Sequence, residues 1–267
     1  MSFQNLLDSL PIGAAFLVFA IIAGAVSELG YRLGHWWQER TPDEKEGPTG
    51  MIVGSILALL AFLLATAMGM ASDRFDTRRG LVLAEANSIG TTYLRAGYLP
   101  EPASSEIRAL LHEYVPLRIV TNDLGDIRVR MARSAEVLAK LWAIAEELAH
   151  GTPESDVLAL FIDSLNETID LHETRITAGI YARVPETVII LLYFGSILTL
   201  GVVGYNAGLT RRRSLITAIV LITVLGAVIT LVVDLDRPRD GFLKVNQQPL
   251  IDLQEQVEAL PPANPSR

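Results

Sequence analysis

Residues 51–71 read Met51-Ile-Val-Gly-Ser-Ile-Leu-Ala-Leu-Leu-Ala-Phe-Leu-Leu-Ala-Thr-Ala-Met-Gly-Met-Ala71 and contain no charged side chain. About 20 such apolar residues in a helix cross the hydrocarbon core of a bilayer. A charged segment, Ser72-Asp-Arg-Phe-Asp-Thr-Arg-Arg79, follows at once, and apolar residues keep helical spacing to Arg95. No proline interrupts this stretch, so we predict one long helix that leaves the membrane and continues into water.

The composition agrees with a membrane protein. Apolar residues make up 50% of the 267 residues and charged residues only 19%, which is less charge than a soluble domain usually carries. The net charge of −8 argues against a nucleic-acid partner. The chain has no cysteine, which excludes disulfides, thiol catalysis and cysteine-based metal sites.

Three further apolar segments, residues 11–29, 184–208 and 214–233, complete a set of four predicted transmembrane helices. The residues between the second and third spans have amphipathic helical patterns that are too polar to cross lipid. The predicted fold is therefore an all-α membrane protein with an extramembrane helical bundle inserted between the second and third transmembrane helices. The expected boundaries are 11–72 for the first two spans, 73–183 for the bundle, 184–234 for the last two spans and 235–267 for a C-terminal tail.

Local signals set the helix ends inside the predicted bundle. We expect Ser104 or Ser105 to cap one helix and Pro116 to kink or shorten it. We expect Thr152 to cap the last long helix, with Pro153 at its first position. The tail from Gln254 onward is rich in proline and is expected to be weakly ordered.

Small residues recur at helical spacing along the second span, at Gly54, Ser55, Ala58, Ala61, Ala65 and Gly69. One interpretation is close packing against another helix, because small residues let helix backbones approach in lipid. The other is that this helix lines a narrow pore with a hydrophobic constriction, which would gate by dewetting. The pore-lining candidates are Ser55, Phe62, Ala65, Thr66 and Gly69.

Charged residues cluster directly after the second span. They could simply solvate a helix as it leaves the bilayer. They could also form a charged ring at the mouth of a pore in an oligomer. The candidates for such pore-mouth charges are Asp73, Arg74, Asp76, Arg78, Arg79 and Glu85.

Four spans place both termini and the bundle on one side of the membrane. Arginines in the two short links favour the cytoplasm for those links, among them Arg211, Arg212 and Arg213. Arginines and lysines close to the span ends on the opposite side nearly balance them. The positive-inside rule therefore does not choose the side that holds residues 73–183.

Two motifs carry a family resemblance. The run from Ser72 to Arg95, followed by Leu99-Pro100, and the run Asp236-Arg-Pro-Arg-Asp-Gly241 resemble the bestrophin-like family of bacterial membrane proteins. The resemblance covers nearly the whole chain. That family is in turn distantly similar to bestrophins, which are pentameric anion channels with four spans per subunit, helices between the second and third spans, and a pore lined by the second span.

The resemblance implies a homo-oligomer, pentameric by analogy, in the bacterial plasma (inner) membrane, with inorganic ions and the lipid bilayer as its partners. We expect no cofactor, and the net charge argues against a nucleic-acid partner. Two bestrophin features are not matched, namely the acidic calcium clasp and a pore-lining span rich in Asn and Pro. Bestrophins also keep their helical region in the cytoplasm, which differs from the slight arginine bias above.

The leading functional hypothesis is an oligomeric ion channel of bestrophin-like type. The alternative is a membrane-anchored sensor or scaffold whose helical bundle binds a ligand or partner. Enzyme chemistry has little support, because His112-Glu113 and His172-Glu173 are isolated pairs and no glycine-rich phosphate loop is present. Glu167, Asp170 and His172 could meet as a metal site, but their spacing does not specify one, so we expect none.

Overall fold

The computed structural model describes residues 3–41, 47–120, 124–211, 214–237 and 241–259, and all regular secondary structure in this part of the chain is helical. The helices are α1 (Phe3–Asp8), α2 (Ile12–Arg40), α3 (Gly47–Ala96), α4 (Ala103–Arg118), α5 (Leu124–Gly151), α6 (Asp156–Ile180), α7 (Glu186–Leu209), α8 (Leu215–Asp236) and α9 (Gln248–Ala259). The predicted all-α class is confirmed. The proline-rich end of the tail, the two arginines at 212 and 213, and residues 238–240 of the second motif lie outside the described residues.

Four of these helices are long and apolar enough to cross a membrane: α2, the Thr49–Ala96 part of α3, α7 and α8. They coincide with the four predicted spans. The α2 helix continues beyond the apolar segment to Arg40, and Arg32 pairs with Glu28 at 2.9 Å on its exposed side. The number and position of the predicted spans are therefore confirmed by length and composition.

The α3 helix is continuous over 50 residues. At 1.5 Å per residue it is about 75 Å long, more than twice the roughly 30 Å of a bilayer's hydrocarbon core. The predicted long helix is thus confirmed, and it does not break at Ser72. The absence of proline between Pro48 and Pro100 allows this length.

The chain divides into two compact units, and the division falls within α3 after Phe75. Unit 1 comprises Met1–Phe75 and Arg183–Lys244, and unit 2 comprises Asp76–Ala182 and Val245–Arg267. The core of unit 1 contains side chains from α2, α3, α7 and α8. Its most deeply buried members include Ala23, Ala67, Ile189, Leu192 and Ile229.

Glycines bring α2 and α7 into direct backbone contact in unit 1. A Cβ added to Gly34 would overlap the carbonyl oxygen of Tyr205, and one added to Gly204 would overlap that of Ser27. Gly30 and Gly208 are equally tight. The close packing expected of small residues in lipid is therefore made by these glycines on α2 and α7.

Unit 2 has its own apolar core, formed by the second part of α3 with α4, α5, α6 and α9. Tyr114 and Phe161 are its largest fully buried side chains. The α9 helix was not predicted from the sequence, because a proline-rich segment follows it. The expected weak order from Gln254 onward is wrong for residues 254–259, which belong to α9. Leu250, Leu253 and Val257 nevertheless recur at helical spacing and are buried in this core.

Two predicted helix starts in unit 2 differ from the structure. Ser104 and Ser105 lie inside α4, and the Ser105 N–H is instead satisfied by the Glu101 carboxylate at 3.2 Å. The α6 helix begins after Ser155, whose hydroxyl accepts the Leu158 N–H at 3.2 Å, so Thr152 is not its cap. Pro116 lies in the last turn of α4, where it agrees with the expected shortening.

Candidate functional site

The exposed face of α3 contains all five pore-lining candidates. Ser55, Phe62, Ala65, Thr66 and Gly69 are exposed, and Phe62 has 67% of its surface accessible. Their spacing places them on one side of the helix. The other side of the same turns is buried in the core of unit 1 through Leu60, Leu64, Ala67 and Ala71.

In the part of the chain that the structure describes, Gly54 and Gly69 of α3 make no close contact with another helix. A Cβ built at Gly54 or Gly69 meets no atom within 4 Å outside the backbone of its own turns. Ala58 and Ala61 are exposed as well. The close helix packing within this protomer is thus made by the glycines of α2 and α7, and the small residues of α3 remain exposed.

The exposed faces of the other spans have a different composition. On α7 and α8 they consist mainly of large apolar side chains, including Phe194, Leu198, Ile216, Ile219 and Val220. On α2 they include Leu17, Val18, Ile21 and Ile22. Large aliphatic and aromatic groups suit contact with acyl chains, whereas small residues mark places where protein backbones come close.

The two hydroxyl groups on the exposed α3 face are satisfied by their own helix. Ser55 donates to the carbonyl oxygen of Met51 at 3.0 Å, and Thr66 donates to that of Phe62 at 2.9 Å. A hydroxyl that already donates to the backbone can only accept hydrogen bonds from water. The polarity of this face is therefore lower than the residue names suggest.

The six candidate pore-mouth charges separate into two groups. Asp73, Arg74, Asp76 and Arg79 are exposed. Arg78 and Glu85 are buried, with Arg78 at 6% and Glu85 at 0% exposure. The last two side chains face the interior, so the surface charge after the second span is carried by the first four.

Glu85 is the centre of a buried ion-pair cluster in unit 2. Arg118 of α4 donates through Nε to Glu85 Oε1 at 2.6 Å, and Arg175 of α6 contacts Glu85 Oε2. Arg175 also donates to the side-chain oxygen of Gln247 at 2.8 Å, just before α9. One carboxylate of α3 is thus tied to two other helices and, through Arg175, to the segment that precedes α9.

Sequence reasoning missed the roles of Arg118, Arg175 and Gln247. Arg118 lies 33 residues and Arg175 lies 90 residues from Glu85 along the chain, and Gln247 is more distant still, so no local spacing links them. The one signal in the sequence was the helical spacing of Glu85 itself. Glu85 and Ser88 follow the buried side of α3 that also carries Val82 and Ile89.

A row of hydroxyls continues the buried polar surface of α3. Ser88 and Thr168 form a hydrogen bond at 2.8 Å, and Thr92 donates to the carbonyl oxygen of Ser164 at 2.9 Å. These bonds join α3 to α6. The Thr92 and Thr168 hydroxyls reach backbone acceptors, which is how buried polar groups avoid the cost of lost hydration.

His172 lies beside this row and is 2% exposed. Its Nδ1 is 3.0 Å from the Tyr114 hydroxyl. Burial, with the nearby positive charge of Arg118, lowers the pKa of His172 from 6.5 to about 4, so the imidazole is neutral at physiological pH. Burial also raises the pKa of Tyr114 well above its usual range.

The metal site considered for Glu167, Asp170 and His172 does not assemble. Glu167 and Asp170 are exposed, and Asp170 accepts a hydrogen bond from Asn166, whereas His172 faces the core. Among the described residues no group of three or more acidic, histidine or cysteine side chains could hold a metal ion.

A second ion-pair cluster lies in unit 1 at the ends of three helices. Arg183 donates to Asp8 at 2.5 Å and to Asp236 at 3.1 Å, and Asp236 accepts the Val184 N–H at 2.7 Å. Arg237 also contacts Asp8, at 3.6 Å. The Asp236-Arg237 start of the second motif thus ties the end of α8 to α1 and to the start of α7.

Asp234 stabilises the turn that follows α8. It is 2% exposed and accepts the N–H groups of Phe242 and Leu243 at 2.9 and 3.0 Å. A side chain at Gly241 would overlap the Asp234 carboxylate, which explains a glycine there. The described part of the motif therefore has a structural role.

Comparison with solved structures shows the same fold in bacterial membrane proteins. Two single-residue variants of a bacterial bestrophin homologue from Klebsiella pneumoniae match with TM-scores of 0.67 and 0.66 at 15% and 14% identity. The matches cover 91% and 92% of this chain and 96% and 95% of the other chains. A crystal structure described as a membrane protein matches with a TM-score of 0.62 at 15% identity, over 92% of this chain and 95% of that one.

No curated protein sequence matches the chain significantly. The family model of the Bestrophin-like domain matches residues 20–250. That range contains most of the first candidate span and all of the other three, both ion-pair clusters apart from Asp8, and the first residues of α9. The chain belongs to the Bestrophin-like domain family.

Proposed function

We propose that the protein is an oligomeric ion channel of bestrophin-like type in the bacterial inner membrane, with α3 lining the pore. Family membership supports the general type, because the resemblance drawn from the sequence implies a channel. The location of the pore rests on the chain itself. Several copies would gather around one axis, each presenting the exposed face of α3.

The observation that carries this proposal is the small, exposed face of α3. Four spans of the protomer have surfaces that no other helix of the chain covers, and three of them are rich in large apolar groups. The α3 face between Gly54 and Gly69 carries mostly glycine, alanine, serine and threonine, with Leu59 and Phe62 as its large exposed side chains. Such a face suits helices that approach one another around a narrow passage better than it suits acyl chains.

The constriction of this pore would be hydrophobic. Phe62 projects from the exposed face, and the Ser55 and Thr66 hydroxyls already donate to their own helix. A narrow ring of phenyl groups and methyl groups offers no replacement for an ion's hydration shell, so it blocks ions until it widens and fills with water. The proposed gate therefore lies at Phe62, Ala65 and Thr66.

One helix face cannot enclose a passage, so the proposal requires a homo-oligomer. A pentamer follows from the resemblance to bestrophins. In such a ring each α3 would contact the next through its small residues, while the large apolar faces of α7 and α8 would remain toward lipid.

Reconstitution of the purified protein into liposomes tests the proposal. We expect ion flux that increases several-fold in F62A, because removing the phenyl ring widens the constriction. F194A is the matched control, since Phe194 is 64% exposed on the face of α7 that consists of large apolar side chains, which we call its lipid-type face. Flux that is absent across salts and pH values would contradict a channel and favour the sensor or scaffold; equal effects of F62A and F194A would contradict the assignment of α3.

A further inference from the structure

A short segment after the fourth span exposes two large apolar side chains next to each other. Phe242 is 80% exposed and Leu243 is 41% exposed. Lys244, which follows them, is exposed as well. Large apolar residues that are scattered singly over a surface are ordinary, whereas adjacent ones indicate contact with another apolar partner.

Hydrogen bonds to a buried carboxylate hold this segment in place. Asp234, two residues before the end of α8, accepts the N–H of Phe242 at 2.9 Å and that of Leu243 at 3.0 Å, each with a different oxygen. Hydrogen bonds to an ionised acceptor are among the strong ones in proteins. The backbone that carries the two apolar side chains is therefore fixed, and their exposure is a property of the folded chain.

The same hydrogen bonds fix the depth of the segment relative to the membrane. The α8 span comprises 22 residues and is about 33 Å long, close to the roughly 30 Å of a bilayer's hydrocarbon core. Residues that bond to Asp234 lie beside the last turn of this span. Phe242 and Leu243 are thus located at the edge of the hydrocarbon core and not in the water beyond it.

A second segment of unit 1 exposes an apolar side chain at the same end of α8. Arg237, which directly follows this helix, donates to the carbonyl oxygen of Leu7 and lies 3.6 Å from Asp8. These contacts place the short helix α1 beside the end of α8. Leu7 is buried there, whereas the neighbouring Leu6 is 50% exposed. Two separate pieces of the chain therefore present apolar groups at the level where α8 ends.

From this arrangement we infer that residues 242–244, which we call the anchor turn, insert into the leaflet in which α8 ends. Phe242 and Leu243 lie among the first acyl carbons, and Lys244 lies near the lipid phosphates. The occupant is lipid because the anchor turn is bonded to the last turn of a candidate span, so its exposed surface continues that of the span. Two apolar side chains followed by a basic one also match the order of acyl chains and phosphates at this boundary. The anchor turn adds a membrane contact to the four spans and does not depend on ion conduction.

Spin labelling of full-length F242C tests the inference, since the chain contains no native cysteine. The labelled protein is placed in vesicles of equal parts phosphatidylcholine and phosphatidylglycerol. Power saturation then compares the collisions of the label with oxygen, which concentrates in lipid, and with a water-soluble nickel chelate. Y98C is the matched control, because Tyr98 is an aromatic residue that is 75% exposed in the turn after α3, a helix that ends about 37 Å beyond Ala71. We expect a ratio of oxygen to nickel collisions that is several-fold higher for F242C than for Y98C.

Two other results would overturn the inference. Equal collision ratios for F242C and Y98C would show that the anchor turn lies in water. A label at F242C that neither oxygen nor the nickel chelate reaches would show that another protein surface, such as a second copy of the chain, covers the turn. Elution of both labelled variants at the volume of the parent protein shows that folded proteins are compared. None of these results bears on conduction, so the channel proposal is tested separately by the flux through F62A.

Discussion

Arg118 and Glu85 form an ion pair at 2.6 Å in the interior of unit 2, and Glu85 is completely excluded from solvent. The same carboxylate contacts Arg175. The pair joins α4 and α6 to the helix that we propose lines the pore. Because both oxygens of Glu85 bind a guanidinium group, the rotation of α3 about its own axis is fixed relative to the helices of unit 2.

Substitution E85Q should destabilise the protein strongly. The amide has no charge to balance Arg118 and Arg175, which would remain buried without their carboxylate. Removal of one partner from a buried ion pair costs about 3–5 kcal/mol. We expect a clear fall in the midpoint of thermal unfolding of the purified protein in detergent.

E113Q is the control for that prediction. Glu113 pairs with Arg133 at 2.5 Å, but both side chains are more than a third exposed. The hydrogen bond from Arg133 lowers the pKa of Glu113, yet an exposed pair of this kind contributes little to stability because solvent screens it. Similar unfolding midpoints for E85Q and E113Q would show that the Glu85 cluster is not the main polar tie in unit 2.

The buried His172 should make the stability of the protein depend on pH. Its pKa is lowered from 6.5 to about 4 by burial. Between these two pH values the unfolded chain binds a proton that the folded chain does not, so stability is complete above pH 6.5 and is lost as the pH falls toward 4. The shift corresponds to at most about 3 kcal/mol.

Unfolding of the parent protein and of H172Q between pH 8 and pH 4 measures this effect. Glutamine can still accept the Tyr114 hydroxyl but does not titrate, so H172Q should lose part of the pH dependence. Glu173 lies 3.9 Å from the imidazole and is exposed, too distant and too well solvated to offset the burial. Identical pH profiles for the two proteins would refute the assignment.

The glycine contact between α2 and α7 predicts which glycines tolerate a methyl group. G34A and G204A would drive a Cβ into the backbone of the facing helix, so the helices must separate. We expect both variants to fold poorly or to unfold at a much lower temperature. G24A on α2 is the matched control, because no atom lies within 4 Å of its Cβ position.

G24A should be neutral or slightly stabilising, since alanine has the higher helix propensity. The comparison uses one substitution type on one helix, so propensity alone predicts the same result for G24A and G34A. Equal tolerance of the two variants would show that α2 and α7 do not pack as closely as described.

The order of the helices could be predicted from the sequence because the decisive signals are local. An apolar segment of the right length predicts a span, and the absence of proline after Met51 predicts the length of α3. Helix ends were less predictable. Ser104 fits a capping pattern, but Pro102 occupies the position before α4, which therefore begins two residues earlier, and Glu101 accepts the Ser105 N–H.

Long-range relationships could not be predicted in the same way. The charges after the second span looked alike in the sequence, and only the packing of unit 2 separates buried Arg78 and Glu85 from exposed Asp73 and Asp76. Likewise, the small residues of α3 and of α7 gave the same signal for close packing. The structure shows that Gly201 and Gly204 are used within the chain, whereas Gly54 and Gly69 are not.

The absence of native cysteine makes the central claim directly measurable, since a single cysteine can be placed at any position without background. Two exposed residues in candidate spans suit this test. T66C places a cysteine on the proposed pore face of α3, and I219C places one on the large apolar face of α8. After reconstitution, a charged, water-soluble thiol reagent is applied while ion flux is recorded. The account predicts that the reagent changes the flux through T66C and leaves that through I219C unaltered. If the reagent neither labels T66C nor changes its flux, the placement of α3 around the pore is contradicted.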